Sequence, residues 1–415
     1  MSGFPDGFLW GTATAAHQVE GGNVGNDGWF LEHLPRTIFA EPSGDACDHY
    51  HRYAQDIATV AALGLNSYRF SVEWSRVELV EGEFSLAALD HYRRMLEACH
   101  AHGLTPVVTY NHFTSPLWLL AAGGWEDAAT PDRFARYCEK VTAHLGDLVG
   151  RACTLNEPNL PNLLEVMGIG GEPAERRGEV PMWADAAAAL GIPAARVAPF
   201  QFTISGTGFA TRVAAHRAGT AAIKAVRPDL PVGWTLALTD VQSVPGGEDR
   251  AASVAREVND VYLEAARGDD FVGVQNYGRH VFDADGLVHA GPGAVVNQLG
   301  EELYPQGLAN AVRHAAAVSE APVVVTENGL STADDAQRQW FVEEALRGLR
   351  EVVAEGVDVR GYTYWSLLDN FEWIFGYRPT FGLVAVDRTT FARTVKPSAV
   401  RYGQIARSNG ALLGP

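Results

Sequence analysis

The sequence predicts an α/β protein built as a single (β/α)8 TIM barrel with elaborated βα loops. Short β-prone runs alternate with amphipathic helical segments along the 415 residues, and we find no linker, repeat or low-complexity stretch between them. Several of the β-prone runs are almost continuously apolar, which is typical of parallel strands covered on both faces. We therefore expect residues 1–415 to form one domain.

Eight segments are strand candidates. In chain order they are FLWGTATA (8–15), NSYRFSVEW (66–74), TPVVTYNH (105–112), RACTLNE (151–157), PVGWTLALT (231–239), FVGVQNY (271–277), PVVVTEN (322–328) and VRGYTYWSL (359–367). Because strand and helix alternate without a break, these strands are expected to lie parallel around one barrel. A doubly wound open sheet is the alternative, although no glycine-rich phosphate loop follows the first strand.

Helical periodicity follows each strand candidate. The predicted helices cover 49–64, 86–103, 131–146, 206–226, 251–267, 306–320 and 334–355, with a last helix after Lys396-Pro397-Ser398. Gly64, Gly103 and Gly146 mark the ends of the first three helices, and Pro131 lies in a first turn, where proline is favoured. Segment 159–204 is the longest poorly patterned stretch, and loops of that length are usually functional or mobile.

The charge composition of the chain indicates which kinds of partner it is unsuited to bind. The chain has 32 Lys and Arg against 50 Asp and Glu, a formal net charge of −18, which argues against binding nucleic acid or anionic membranes. No apolar run reaches membrane-spanning length, and the N-terminal sequence MSGFPDGFLWGTATAA lacks the basic start and apolar core of a signal peptide. The four cysteines lack CxxC spacing, so we expect reduced thiols in a cytoplasmic protein.

The predicted strand ends carry polar and aromatic side chains. Active sites of such barrels lie at the C-terminal ends of the strands. The side chains expected there are Gln18, Arg69, His112, Asn156, Glu157, Tyr277, Glu327, Trp365, Glu372 and Trp373. If the barrel is right, they surround one pocket.

Two glutamates stand out among them. Glu157 and Glu327 each follow a buried run and would point into the pocket from opposite walls. Two carboxylates in one pocket cannot both ionise freely, so we expect one pKa to rise and the other to fall. The acid with the raised pKa can protonate a leaving oxygen, and the ionised carboxylate can attack a carbon.

The stretch GYTYWSLLDNFEW (361–373) brings acids next to two indoles. Buried acids need partners, and sugar hydroxyls supply them, while the C–H face of a sugar ring stacks on indole. Glu372 would then bind hydroxyls between Trp365 and Trp373. Structural interpretations stay open, because the tryptophans can be core aromatics, Asn-Glu-Pro a cap and Thr-Glu-Asn-Gly a turn.

The run Asp48-His49-Tyr50-His51 looks like a metal cluster. It opens an amphipathic helix, where Asp is a favoured N-cap, and no further Cys/His set lies nearby in the sequence. We expect no metal there. No cofactor is expected either, because the sequence has no nucleotide loop, thiol motif or serine elbow.

Taken together, several motifs resemble a known family. FPDGFLWGTATAAHQVEG, SYRFSVEWSR, TLNEPN, VTENG, YWSLLDNFEW and the tail FGLVAVDRTTFARTVKPSA are similar to the retaining β-glycosidases of glycoside hydrolase family 1, in order and along the whole chain. The resemblance implies cleavage of terminal β-D-glycosyl residues from a small-molecule β-glycoside or oligosaccharide. β-D-Glucosides are the first expectation, with β-D-fucosides and β-D-galactosides as alternatives.

The resemblance also implies roles for individual residues. Glu157 matches the general acid/base, and Glu327 matches the nucleophile of a double displacement through a covalent glycosyl-enzyme. Arg69 and Tyr277 match groups that contact the nucleophile. The positions that match sugar-binding residues are Gln18, His112, Asn156, Trp365, Glu372 and Trp373, with Asn156 on the 2-hydroxyl and Trp365 under the ring.

The chain departs from the family pattern near the pocket rim. Ala152 and Phe113 replace tryptophans, Gln275 replaces an asparagine, and segment 159–204 lacks the usual landmarks. These departures concern the leaving-group side. A 6-phospho-β-glycosidase, a transglycosidase and a non-catalytic sugar-binding protein remain alternatives. The first is disfavoured because Glu372 stands where that branch has serine, and the last because both carboxylates are present.

Overall fold

The computed structural model describes residues 3–169 and 173–414, and a closed barrel of eight parallel strands lies at its centre. The strands β1 to β8 are Leu9–Ala13, Ser67–Ser71, Thr105–Asn111, Arg151–Asn156, Val232–Ala237, Val272–Gln275, Val323–Asn328 and Val359–Trp365. β8 closes the barrel against β1, with Gly361 opposite Leu9 and Trp365 opposite Ala13. All eight lie within the predicted segments, so the barrel prediction is confirmed and the open-sheet alternative is wrong.

One main helix follows each strand. The helices α1 to α4 are His49–Ala62, Leu86–Ala101, Thr130–Leu145 and Gly206–Val226, and α6 to α8 are Gly307–Ser319, Asp335–Ala354 and Pro397–Arg407. Helix α5 comprises Glu248–Ala255, a π-helical turn over Arg256–Asp260, and Val261–Ala265. It begins three residues before the predicted position because its first turn carries two acids, which suit a helix N-terminus but lack apolar periodicity.

The loops after the strands hold further short elements, as predicted. Short α-helices are Ala16–Val19, Asp27–Glu32, Trp74–Val77, Leu117–Ala121, Leu160–Val166 and Pro181–Leu190. Strands Asp240–Ser243, Arg279–Phe282 and Leu287–Val288 form a small sheet, and Val384–Val386 pairs with Arg393–Val395. The 3-10 turns are Gly124–Glu126, Ala174–Glu179, Ala194–Arg196, Phe200–Phe202, Trp373–Phe375 and Ala411–Leu413.

Segment 159–204 is more ordered than its pattern suggested. Met182 and Trp183, on the helix Pro181–Leu190, are buried against Leu31 and Phe371 from the loops after β1 and β8. Sequence periodicity missed this helix because a run of alanines carries little apolar contrast. Residues 170–172 of the segment lie outside the described residues.

The Asp48-His49-Tyr50-His51 run is structural. Asp48 occupies the N-cap position of α1, but its carboxylate accepts from His51 and Arg52 and does not cap the helix, so the capping prediction is wrong. Its backbone is left-handed, with φ +52°, whereas capping residues usually have an extended backbone. Within residues 3–169 and 173–414, no group of three or more His, Cys, Asp or Glu side chains is arranged to hold a metal.

Two observations concern the predicted reduced thiols and the predicted lack of a membrane span. All four cysteines are buried as free thiols. Across the described part of the chain, no helix is both long and apolar enough to cross a membrane.

A buried ion pair ties α1 to the C-terminal hairpin. Arg393 donates from Nε and Nη2 to the two carboxylate oxygens of Asp56, at 2.9 and 2.8 Å, and His49 Nδ1 lies 2.8 Å from Asp56 Oδ2. Burial alone would raise the pKa of Asp56, but hydrogen bonds from His49 and Arg393 bring it below its usual value. The pair therefore holds a charged carboxylate inside the fold.

We predict that Asp56→Ala lowers the free energy of unfolding by about 3–5 kcal/mol, because it leaves the Arg393 charge buried without its partner. Urea unfolding at neutral pH measures the loss. Asp185→Ala, which removes the partner of the exposed Arg36, is the matched control and should change stability far less. A loss at Asp56 no larger than in this control would contradict the prediction.

Candidate active site

The predicted site residues come together at one end of the barrel. A cavity of about 270 Å³ is lined by Gln18, His112, Glu157, Tyr277, Glu327, Trp365, Glu372 and Trp373. Arg69 and Asn156 lie beneath these side chains, fully buried and joined to each other by a hydrogen bond of 2.6 Å. All ten residues expected at the strand ends therefore belong to one site.

Irregular backbone directs several of these side chains. The pairing of β4 with β5 changes register between Cys153 and Asn156, and the pairing of β7 with β6 changes between Val325 and Glu327. Such bulges re-aim side chains at the rims of barrels. Three pocket residues also have left-handed backbone, Phe113 at φ +71°, Glu157 at +48° and Trp373 at +53°.

The Thr-Glu-Asn-Gly motif is not a turn. Asn328 is the last residue of β7, and its side chain donates to Asn276 O at 2.7 Å and accepts from Tyr362 OH at 2.8 Å. Gly329 is required by a close approach, because a Cβ there would lie 2.0 Å from the carbonyl oxygen of Trp365. Asn328 and Gly329 thus pack β7 against β8 at the positions that directly follow Glu327.

The Glu327 carboxylate accepts hydrogen bonds from three side chains. Arg69 Nη1 donates to Oε1 at 2.5 Å, Gln275 Nε2 donates to the same oxygen at 3.0 Å, and Tyr277 OH donates to Oε2 at 2.6 Å. Burial raises the pKa of Glu327, and the Arg69 charge and the bonds from Tyr277 and Arg69 oppose that rise. The arrangement favours an ionised carboxylate.

Glu157 has a different environment. No hydrogen bond reaches its carboxylate from the part of the chain that the structure describes. Burial, together with repulsion from Glu327 and Glu372, holds its pKa well above the usual value, and the Arg69 charge only partly offsets this. Burial and the neighbouring acids therefore favour the protonated form of Glu157.

The expectation that one of the two pKa values falls is wrong. Both are raised, because burial outweighs the stabilisation of Glu327 by Arg69 and Tyr277. The hydrogen bonds still favour the predicted order, since Arg69, Gln275 and Tyr277 donate to Glu327 and stabilise its ionised form, whereas Glu157 has acidic neighbours.

Glu372 is held by amide side chains. Gln18 Nε2 lies 3.3 Å from Glu372 Oε2, and Asn370 Nδ2 donates to Oε1 at 3.0 Å. Burial raises the pKa of Glu372 well above its usual value, although hydrogen bonds from Trp365 and Asn370 oppose the shift. Gln18 Nε2 also donates to Phe371 O at 2.7 Å, which fixes the orientation of the amide.

Aromatic rings form the walls beside Glu372. His112 stacks on Trp365, with ring centres 5.7 Å apart and planes within 19°, and burial holds its pKa well below the usual value. Trp373 stacks on His17 at 5.4 Å and meets the edge of Phe113 at 5.2 Å. His112 is therefore a neutral ring with a polar edge.

Several buried polar atoms in the site have no partner among the described residues. They are Gln18 Oε1, His112 Nδ1, Asn156 Nδ2, Gln275 Oε1 and Asn370 Oδ1. Buried polar atoms without partners are rare and costly. A ligand rich in hydroxyl groups would satisfy them.

Gln275 and Thr235 belong to the site, and sequence reasoning missed their part in it. The expectation that Gln275 lies on the leaving-group side is wrong, because it bonds Asn156 and Glu327. Gln275 Nε2 donates to Asn156 Oδ1 at 2.8 Å and to Thr235 Oγ1 at 3.1 Å, in addition to its bond to Glu327. The available signal was spacing, because Gln275 precedes Tyr277 by two residues and side chains two apart on a strand share a face. Thr235 was a lone hydroxyl in an apolar strand.

Comparison with known proteins agrees with this geometry. The family model of glycosyl hydrolase family 1 matches residues 1–183 and 290–411. The chain belongs to this family. The family assignment makes the protein a glycoside hydrolase, and the predicted resemblance is confirmed.

Family 1 relatives align along nearly the whole chain. Thermostable beta-glucosidase B of Thermobispora bispora is 33% identical, over 98% of this chain and 91% of its own. The crystal structure of beta-glycosidase BGL167 has a TM-score of 0.96 at 64% identity, covering 98% of this chain and 97% of that one. The beta-glucosidase of Thermotoga maritima in complex with deoxynojirimycin has a TM-score of 0.84 at 26% identity, covering 99% and 100%.

The bridge between Asn156 and Glu327 gives a test of Gln275. We predict that Gln275→Ala lowers kcat/KM for nitrophenyl β-D-glucoside about 10- to 100-fold, since losing a buried hydrogen-bond partner costs about 1–3 kcal/mol. Steady-state kinetics measure the loss. Gln275→Asn keeps the amide and should recover part of it, whereas a value for Gln275→Ala within twofold of the parent would show that the bridge is dispensable.

Proposed function

We propose that Glu327 is the nucleophile and Glu157 the general acid/base of a retaining β-glycosidase. Family membership and full-length similarity to beta-glucosidases make the protein a β-glycosidase. The expected substrate is a small-molecule β-glycoside, with β-D-glucosides preferred.

One asymmetry supports this division of roles. Three side chains donate to the Glu327 carboxylate, whereas none of the described residues donates to that of Glu157. A nucleophile must be ionised before it attacks, and a general acid must hold its proton until the leaving group departs. Each glutamate has the environment that its proposed role requires.

The reaction then has two displacements. A Glu327 oxygen attacks the anomeric carbon and forms an ester, the glycosidic C–O bond breaks, and the Glu157 proton goes to the departing oxygen. Ester formation removes the charge on Glu327, which removes repulsion and lowers the pKa of Glu157. Glu157 can then take a proton from water, whose oxygen attacks the anomeric carbon, releases the sugar and restores the Glu327 carboxylate.

The unpartnered polar atoms suit the hydroxyls of a glycosyl unit. Arg69 fixes Asn156 with Oδ1 toward itself, so Nδ2 is free to donate, and we assign that donor to the 2-hydroxyl. Gln18, His112, Glu372 and Trp373 are assigned to the remaining hydroxyls, and Trp365 to the face of the ring. The complex of the Thermotoga maritima relative with deoxynojirimycin is consistent with a ligand that carries several hydroxyls.

A phosphorylated glycosyl unit fits this site poorly. Its charge would approach the ionised Glu327 carboxylate and would oppose ionisation of Glu157 and Glu372, in a chain of net charge −18. Arg69 is already bonded to Glu327 and Asn156, and Arg279, which lines the outer cavity, is paired with Glu302. Neutral glycosides are therefore the proposed substrates.

We also propose a cytoplasmic location and a single domain over residues 1–415. Four free buried thiols and a barrel whose last strand pairs with its first support these two proposals.

Azide products distinguish the two carboxylates. We predict that Glu157→Ala, which keeps the nucleophile, still forms the covalent intermediate from dinitrophenyl β-D-glucoside and that azide releases it as the β-glycosyl azide. Glu327→Ala cannot form the intermediate, so azide should attack the substrate directly and give the α-azide. NMR of the two products measures the outcome.

The same two variants can also be compared by how their cleavage rates depend on the leaving group of the substrate. Loss of general acid catalysis should cost Glu157→Ala about 10²–10⁴-fold on poor leaving groups and little on dinitrophenolate in the first step. Glu327→Ala should be nearly inert on all of them without azide. If Glu157→Ala gave the α-azide and Glu327→Ala the β-azide, the roles would be reversed.

The pH dependence follows from the bond between Tyr277 and Glu327. This bond lowers the pKa of Glu327, so Tyr277→Phe should raise that pKa. Because Glu327 must be ionised, the acidic limb of kcat/KM should move to higher pH, by about 1–2 units for a hydrogen bond to a charged group. The kcat/KM–pH profile for nitrophenyl β-D-glucoside measures the shift.

Tyr110→Phe is the control for this substitution. It removes a buried tyrosine hydroxyl that bonds Thr142 on α3. Both limbs should stay in place in this variant. A Tyr277→Phe profile in which the alkaline limb moved instead would point to Glu157 as the group that Tyr277 stabilises in its ionised form.

A further inference from the structure

The cavity has two chemically different parts. Its inner part contains the carboxylates and amides of the candidate active site. One continuous segment supplies apolar lining farther out, through Leu160, Leu163, Leu164, Met167 and Ile169. Phe202, Ile374 and Phe375, from other loops, complete this lining, which we call the apolar wall.

The apolar wall begins beside Glu157. Leu160 N donates to Glu157 O at 2.9 Å, so the helix Leu160–Val166 starts three residues after the proposed acid. The leaving group accepts its proton from Glu157 and must therefore depart on the side that this segment lines. The wall is thus placed to contact the aglycone.

Side-chain bonds fix the helix in this position. Asn159 Nδ2 donates to Ala237 O at 2.8 Å and to Val258 O at 2.9 Å, and its Oδ1 accepts from Ala237 N at 2.9 Å. Asn162 Oδ1 accepts from Tyr262 OH, on α5, at 3.0 Å. These contacts anchor the wall to β5 and α5, so its position relative to Glu157 is defined.

Five polar residues of the outer cavity already have partners, whereas no hydrogen bond from the described residues reaches the side chain of Gln201. Thr239 Oγ1 and His280 Nδ1 are hydrogen-bonded at 2.6 Å, and Arg279 Nη2 donates to Glu302 Oε2 at 2.8 Å. Glu301 Oε2 accepts from Asn297 Nδ2 at 2.9 Å. A second sugar could bond Gln201 and the remaining carboxylate oxygens of Glu301 and Glu302, but its hydroxyls on the side of the apolar wall would lose their hydrogen bonds to water, which is unfavourable.

We propose that the apolar wall is a binding site for the aglycone of β-glycosides whose alcohol is uncharged and apolar, such as a long-chain alkyl alcohol. The protein then prefers these substrates to disaccharides. The inference rests on the proposed function, because it takes Glu157 as the acid on the leaving-group side. Glu301, Glu302 and Arg279 line the same cavity and together carry a net negative charge, which disfavours anionic aglycones.

An alkyl series tests the proposal with little change in leaving-group reactivity. The substrates are methyl, butyl and hexyl β-D-glucoside, with cellobiose for comparison and nitrophenyl β-D-glucoside as the reference. We predict that kcat/KM rises roughly two- to fourfold per added methylene while the chain covers the wall, as expected for burying each CH2. Cellobiose should be cleaved with a lower kcat/KM than hexyl β-D-glucoside.

Substitutions locate the effect. Met167→Gln places an amide of similar length on the wall and should lower the hexyl-to-methyl ratio of kcat/KM roughly fivefold, whereas Met167→Leu should keep it. Val166→Asn is the matched control, because Val166 lies on the same helix but is not among the residues that line the cavity. It should leave the ratio unchanged.

The outcomes separate the two proposals. A flat alkyl series, cellobiose cleaved as well as hexyl β-D-glucoside, or an unchanged ratio in Met167→Gln would overturn the apolar aglycone site while nitrophenyl β-D-glucoside was still cleaved. Failure to cleave any of the β-glucosides, the reference included, would overturn the proposed function and this inference with it.

Discussion

The buried guanidinium of Arg69 is the interaction on which the site depends. It bonds Thr109 on β3, Asn156 on β4 and Glu327 on β7, so one side chain from β2 links four strands of the barrel. A charge removed from water is tolerated only when it is paired and fully hydrogen-bonded. The position of Glu327 and the orientation of Asn156 both follow from this requirement.

The same cation sets the difference between the two glutamates. Arg69 contacts Glu327 directly, whereas Glu157 feels it only at longer range and has Glu327 and Glu372 as acidic neighbours. Placing one positive charge closer to one carboxylate is enough to order their proton affinities, even where burial raises both. The barrel produces this asymmetry because Arg69 on β2 contacts Glu327 on β7, whereas Glu157, which follows β4, does not contact Arg69.

The sequence pattern predicted the barrel and most of the site residues because both depend on local signals. Apolar runs and helical periodicity are local signals, and the rule that barrel sites form at strand ends turned those signals into a residue set. Arg69 and Glu327 were found this way. The bridging role of Gln275 was not, because it depends on the distance between β4 and β7 across the barrel, which no local pattern records.

The outer cavity was the least predictable part. Helix Leu160–Val166 is short, and Leu160, Leu163 and Leu164 line a pocket, so the usual division into a core face and a solvent face does not apply to it. The pKa of Glu327 was also predicted in the wrong direction, because sequence motifs identify its partners but do not give the depth of burial. The cavity lining and the pKa of Glu327 both depend on how far solvent is excluded, which is a property of the assembled barrel.

The left-handed backbone at Phe113, Glu157 and Trp373 limits how this site can evolve under selection for thermal stability. Each such residue costs about 1–2 kcal/mol relative to ordinary backbone, and glycine or asparagine would relieve much of that cost. Selection for thermal resistance alone would therefore favour these replacements and would erode the pocket with each one. A lineage that keeps all three side chains bears this cost, and its heat resistance has to come from substitutions elsewhere in the barrel.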